Sequence, residues 1–332
     1  MLLAFLAPLA FAQDVVTGPW VKGEYVDLAV VGSDVFAVWL EGGTLFLAKG
    51  TDAPEVVARD VETGDGGQLR PEVMASEGSL VVLYSDKKAL KLARKKGSAW
   101  TAATVSPMGA AGPFLAAMAP KPGGGAVVAG LAWNGRASEV FVDGKVVFRG
   151  GTDGVCMCCK PALFARSEGW VLAFRDADGL RRDIRTLSSQ DGSTWKDDGE
   201  ATHGGWSPGG CPSDGPGLTA TTLVVSDGRL GKRTVYEVDR FGEHALPAAD
   251  GLAERLQPRA LPDASLHVWV EATPGRSNLV LRDGPGAPVV IATTSGRMEP
   301  GDPVAVGSTV WIPWQGEAAH VVGWSSVAPG GM

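Results

Sequence analysis

Arg70-Pro71-Glu72-Val73-Met74-Ala75-Ser76 decides the architecture, because it recurs along the chain. In register with it stand Gly112-Pro113-Phe114-Leu115-Ala116-Ala117-Met118, Lys160-Pro161-Ala162-Leu163-Phe164-Ala165-Arg166 and Gly215-Pro216-Gly217-Leu218-Thr219-Ala220-Thr221. Two more follow, Gln257-Pro258-Arg259-Ala260-Leu261-Pro262-Asp263 and Asp302-Pro303-Val304-Ala305-Val306-Gly307-Ser308. Tyr25-Val26-Asp27-Leu28-Ala29-Val30-Val31 keeps the small apolar pattern without the proline. From Pro71 the intervals are 42, 48, 55, 42 and 45 residues, and Tyr25 lies 46 before Pro71. After each start comes a polar turn and a β-rich run, as in Val35–Leu40, Ala126–Trp133 or Leu266–Val270. Gly, Asp and Ser then precede a third run, as in Leu45–Ala48, Ile184–Leu187 or Ala319–Trp324, and most repeats add a fourth, such as Glu55–Ala58 or Val289–Ala292. Four short strands in a repeat of about 40–45 residues is the pattern of a β-propeller blade.

The last repeat ends near Trp324 without a fourth run, and Asp14–Val16 offers the missing strand. The expected fold is therefore all-β, a seven-bladed propeller closed by its N-terminal strand, since an open ring would leave a strand edge exposed. Six blades is the alternative if one weak repeat is not a blade. The composition agrees. Of 332 residues 45% are hydrophobic, enough for a large core, while 46 Gly and 22 Pro exclude a long-helix bundle. A net charge of −7 gives no footprint for nucleic acid or an anionic membrane.

The chain starts MLLAFLAPLAFA before Gln13. Leu2–Leu9 is apolar and Ala10-Phe11-Ala12 resembles a cleavage site, although no Lys or Arg precedes them. Residues 1–12 are read as a signal peptide and residues 13–332 as a single propeller domain, exported to the periplasm or the extracellular space. The alternative is a buried N-terminal strand. No later apolar run is long enough to span a bilayer.

The most informative chemistry is Gly154-Val155-Cys156-Met157-Cys158-Cys159-Lys160-Pro161, with the fourth cysteine in Gly210-Cys211-Pro212-Ser213-Asp214. Cys156 and Cys211 each stand five residues before a repeat proline, and so do Met108 and Met298. That offset falls in the loop leading into the innermost strand. In a four-stranded blade this loop shares one face with the strand 2–3 hairpin, so Cys156, Cys158, Cys159, Cys211, Met108 and Met298 are expected around one mouth of the channel. His203 and Trp206 lie on the long connection from blade four to blade five. Arg175, Asp176, Arg182 and Asp183 come from the blade-four hairpin, and Trp133 from that of blade three.

Soft thiolate and thioether ligands suit Cu(I) first and zinc second. Equally open at this stage are structural disulfides, with Cys156–Cys211 stapling adjacent blades, and thiol exchange at the Cys156/Cys159 C-x-x-C pair. His244, His267 and His320 are isolated, and the remaining tryptophans read as packing between blades.

Ser188-Ser189-Gln190-Asp191-Gly192-Ser193-Thr194-Trp195 resembles the Asp-box, S-x-D-x-G-x-T-W, of sialidase-like (BNR-repeat) propellers. Gln190 occupies the Asp position and Asp191 follows one place late. Lys95-Lys96-Gly97-Ser98-Ala99-Trp100 looks like a decayed copy. The resemblance implies the propeller fold and, by extension, a glycoside hydrolase with an arginine triad, a Tyr/Glu nucleophile and an Asp acid. The first arginine's usual Arg-Ile-Pro segment is absent, only three Tyr exist, and Arg70, Arg175, Arg182 and Arg259 are the available arginines.

Three readings follow. The first is an exported propeller whose Cys/Met-lined mouth binds a soft metal, copper before zinc, or another ligand. Its metal candidates are Cys156, Cys158, Cys159, Cys211, Met108, Met298 and His203; its ligand-binding candidates are Arg175, Asp176, Arg182, Asp183, Trp206 and Trp133. The second is a divergent sialidase-like hydrolase with Asp176 and Asp183 as the nearest acids. The third is a non-catalytic protein- or glycan-binding propeller with structural disulfides. The expected partner is a small ligand, a metal ion or a protein at the mouth.

Overall fold

The computed structural model describes residues 16–17, 23–63, 70–86, 88–107, 115–151, 154–209 and 212–325. Residues 1–12, Met108 and Cys211 fall outside them. The described residues form seven antiparallel sheets with no helix. Blade one comprises Glu24–Val31, Asp34–Glu41, Thr44–Lys49 and Glu55–Ala58. Blades three to six follow the same order of neighbours, blade two adds the short strand Val61–Glu62 beside its second strand, and blade four, for example, comprises Ala162–Arg166, Gly169–Arg175, Ile184–Ser189 and Lys196–Glu200. Inner strands of successive blades touch around the ring, and blade seven returns to blade one. The architecture is a seven-bladed β-propeller, which removes the six-bladed alternative.

Closure follows the expected route. Val16–Thr17 pairs with the last strand, Ala319–Ser325, in the register Val16 to Gly323 and Thr17 to Val322. The strand falls one or two residues beyond the stretch read from sequence.

Apolar layers between blades hold the ring together. Leu83, Leu115, Val127, Phe141 and Leu172 join blades two, three and four. Leu28, Trp39, Ala319 and Val321 join blade one to blade seven. A middle strand is covered on both faces, so Ala126–Trp133 reads as a continuous apolar run rather than an alternating one. Within it Gly130 lies against the Phe141 ring, where a Cβ would come within 2.6 Å. Outer strands face solvent, hence the exposed Thr101–Thr104 and Lys196–Asp198.

The stretch that resembles an Asp-box caps its turn through Asp191, one residue after the position the resemblance would give it. Asp191 Oδ1 accepts from the Ser193 and Thr194 N–H groups, both at 2.7 Å. These bonds hold the exposed carboxyl well below its ordinary range. Gly192, at φ 71°, donates its N–H to Ser189 Oγ, and Trp195 packs on the blade core.

Candidate metal centre

The cysteine loop is pinned before it turns. Val155 bridges to Asp176, and the Cys156 N–H donates to the Arg175 carbonyl at 3.0 Å, fastening the loop to the end of the second strand of blade four. The Cys159 N–H returns to the Cys156 carbonyl at 3.3 Å and closes a tight turn. That turn folds three side chains inward. Sγ of Cys156 lies 3.3 Å from Sγ of Cys158 and 3.5 Å from Sγ of Cys159, and the last two are 3.9 Å apart. Backbone donors reach the sulfurs: Cys158 N–H points to Cys156 Sγ, and Asp214 N–H to Cys159 Sγ at 3.4 Å.

Cys156 and Cys159 are buried free thiols. Their environments differ. The hydrogen bond with Cys159 draws Cys156 down to about 6, helped by the Cys158 N–H and by the charges of Arg175 and Arg182. Burial, and then the neighbouring Cys156, push Cys159 well above the ordinary thiol value. The two environments thus favour the thiolate at Cys156 and the protonated thiol at Cys159. Cys158 is half-buried, already has a further partner, and borders the central cavity.

That cavity is the mouth of the propeller channel, with a water-accessible volume of about 60 Å³. At about 10–15 Å³ per water it holds a handful of waters. Charged side chains from five blades line it. Lys160 pairs with Glu72, Arg70 with Glu299, and Arg259 with Asp302 at 3.3 Å. Asp27 faces Glu72 and Asp302 and accepts the Val73 N–H at 2.8 Å. Sequence reasoning missed this ring. Its signal was present, because Arg70, Glu72, Lys160, Arg259 and Asp302 each flank a repeat proline.

Of the expected site residues, the structure groups Cys156, Cys158 and Cys159; they are the sole cluster of three or more potential His, Cys, Asp or Glu ligands among the described residues. His203 is exposed and outside it, its N–H donating to Glu243. Met298 is buried in the apolar core between blades six and seven. Arg175 and Trp206 do not line an open mouth: both are buried, with the guanidinium 5.1 Å from the indole ring. Asp176 pairs with Arg185 at 2.8 Å and Asp183 with Arg181 at 2.8 Å, so both acids are occupied structurally. Arg182 donates to the carbonyls of Gly179 and Arg181. Trp133 is partly exposed at the tip of its hairpin. Arg70 and Arg259 share the channel cavity with Arg297, which the sequence did not suggest, while Arg175 and Arg182 are not among its lining residues.

No protein-family model and no curated protein matches the chain. Solved structures do match in fold. The structure described as YCF48 bound to D1 peptide aligns at 12% identity over 96% of this chain and 97% of its own, with a TM-score of 0.57. Catalytically inactive virginiamycin B lyase from Staphylococcus aureus aligns at 12% identity over 95% and 99%, with a TM-score of 0.58. The β-propeller domain of the Trilobed protease from Pyrococcus furiosus aligns at 9% identity over 91% and 96%, with a TM-score of 0.54. That domain is described as having an open velcro topology, whereas a strand pairing closes this ring. At these identities the likeness establishes the propeller and nothing finer.

Proposed function

We propose that this propeller holds a soft metal ion, Cu(I) before Zn(II), on the thiolates of Cys156 and Cys159. The observation that carries the reading is the 3.5 Å spacing of the two free thiol sulfurs, Cys156 Sγ and Cys159 Sγ. Ligands bound at about 2.3 Å in tetrahedral geometry stand about 3.8 Å apart, so the turn needs little movement to accept an ion. The N–H groups of Cys158 and Asp214 act as outer partners that orient the sulfurs. All-sulfur coordination favours the softer ion. Cys158 borders the cavity, so that side of the turn is the point of access. The reading of MLLAFLAPLAFA as a signal peptide supports a site outside the cytoplasm.

The test is a Cu(I) titration of the reduced mature chain against a competing chelator. Retention well below micromolar, lost in Cys156→Ser and Cys159→Ser, is the expected result. Micromolar or weaker retention, unchanged by these substitutions, would overturn the reading.

A second reading has one observation in its favour. Cys156 and Cys159 are free thiols, whereas Cys158 is not, and Cys211 is the one cysteine left to pair with it. In that reading a Cys158–Cys211 disulfide staples blade four to blade five. Non-reducing peptide mapping tests it: a Cys158–Cys211 cross-linked peptide supports the staple, and its absence from unreduced protein overturns it.

A further inference from the structure

We infer that the groove beside the channel mouth, where blades five, six and seven meet, binds a small organic monoanion, a carboxylate on an apolar body. The inference goes beyond the metal reading and does not rest on it. Blade six supplies the main wall through Leu266–Thr273 and Arg276–Asp283. Pro274-Gly275 joins these strands in a two-residue turn, with Gly275 at φ 76°, and Arg276 stands opposite Thr273 at the rim. Residues 295–298, which lead to blade seven, and residues 212–213, which lead to blade five, complete the wall. The groove has a volume of about 450 Å³, within the range of small-molecule sites.

Floor and rim differ in chemistry. Leu256, Val270, Ala272 and Met298 offer apolar surface, and Val270 and Met298 are buried. Small residues keep the space open: a Cβ at Gly275 or Gly296 would meet nothing within 4 Å. Arg233, Arg276 and Arg297 add three guanidiniums. Among the described residues no Asp or Glu lines the groove, although the chain carries a net charge of −7. Arg233 and Arg276 lie outside the channel cavity, so this set differs from the arginines of the channel.

Two of the three cations are matched from outside the groove. Arg233 pairs with Asp214, and Arg297 with Glu299, which also serves Arg70. Arg276 has no carboxylate among the described residues. Its Nε donates to Asn278 Oδ1 at 3.0 Å, and that oxygen also accepts the Thr293 hydroxyl at 2.9 Å. The two Nη groups of Arg276 therefore remain for a ligand. Such a fork matches the two oxygens of a carboxylate. One uncompensated cation calls for one negative charge, so a monoanion fits better than a dianion.

The apolar body supplies the remaining affinity. An exposed guanidinium alone holds a carboxylate weakly, because water competes for both partners. Each methylene that leaves water over Val270 and Met298 tightens binding by roughly fourfold. Head and body are therefore both required, and neither acetate nor a neutral amide of the same chain length has both.

The experiment is titration calorimetry of the mature chain with octanoate, octanamide, acetate and octyl phosphate. Octanoate is expected to saturate at one per chain, with octanamide and acetate each at least about tenfold weaker. Arg276→Gln is expected to weaken octanoate about tenfold and to leave octanamide unchanged. Arg240→Gln removes the same charge from the turn between Thr234–Asp239 and Gly242–Ala245, on the opposite face, and is expected to change neither. If Arg276→Gln does not fold, Arg297→Gln decides, with a severalfold loss expected. Octanoate that fails to saturate at millimolar concentration, octanamide as tight as octanoate, or equal weakening in Arg276→Gln and Arg240→Gln overturns the inference. Octyl phosphate tighter than octanoate overturns the assignment of a monoanion. None of these titrations involves the thiols, so each outcome leaves the metal reading to its own test.

Discussion

Asp27→Asn should stabilise the protein, and increasingly so as pH rises. Asp27 lies in the inner strand of blade one, where burial first, and then Glu72 and Asp302, push its carboxyl up to about 8. The Val73 N–H and Lys160 oppose that shift without cancelling it. In the unfolded chain the group ionises near 3.8. The folded pKa of this acid is raised, so its contribution favours folding least at high pH: stability is lost as pH climbs from about 4 towards 8. Each unit in that window is worth about 1.4 kcal/mol, so from about pH 5 to pH 7 wild type loses about 2–3 kcal/mol through this group. Asparagine keeps an acceptor for Val73 and cannot ionise. Urea unfolding followed by the fluorescence of the eleven tryptophans, run across that range, measures the gap. The variant should match wild type near pH 4 and exceed it by a growing margin above. A constant gap, or a less stable variant at neutral pH, would refute the buried neutral carboxyl.

In reduced, metal-free protein, alkylation of Cys156 by a small reagent should rise with a midpoint near pH 6, while Cys159 stays unreactive at neutral pH; mass mapping of the labelled peptides reads both. Gly215→Ala should destabilise by more than about 3 kcal/mol, because its Cβ would stand 1.9 Å from the Lys160 carbonyl, and calorimetry reads the loss. Removing residues 1–17 deletes the outer strand of the last blade. The expected result is a Tm lowered by about 2–4 °C and concentration-dependent association through the bared edge of Ala319–Ser325, seen by light scattering.

The ring was legible in the chain because each blade repeats one physical problem. A strand buried on both faces must be small and apolar, and a turn must follow it, so Ala126–Trp133 and Leu266–Thr273 announce themselves. The cysteine turn was legible for the same reason, through its fixed distance from Pro161. The counted offset placed positions in a loop, but it could not say which side chains turn inward. Met298 shares the offset and packs into the core, because its neighbours Leu256 and Trp314 offer an apolar socket. Arg175 and Asp183 looked like a ligand-binding hairpin, since charge in a loop usually means solvent. Their burial depends on backbone carbonyls and on Arg181, which only the folded connection to Asp214 and Trp206 brings within reach. The channel ring was hidden for a related reason. Its charges come from five separate blades, and no local window shows that Lys160 meets Glu72 or that Arg259 meets Asp302.

The most direct measurement is native mass spectrometry of the reduced chain, loaded with Cu(I) and passed through a chelator, with free thiols counted on the same sample. The account predicts a bound soft ion and a Cys156 thiol shielded from reagent, with the ion lost in Cys156→Ser. A bare chain whose Cys156 is as reactive after Cu(I) loading as before would contradict it.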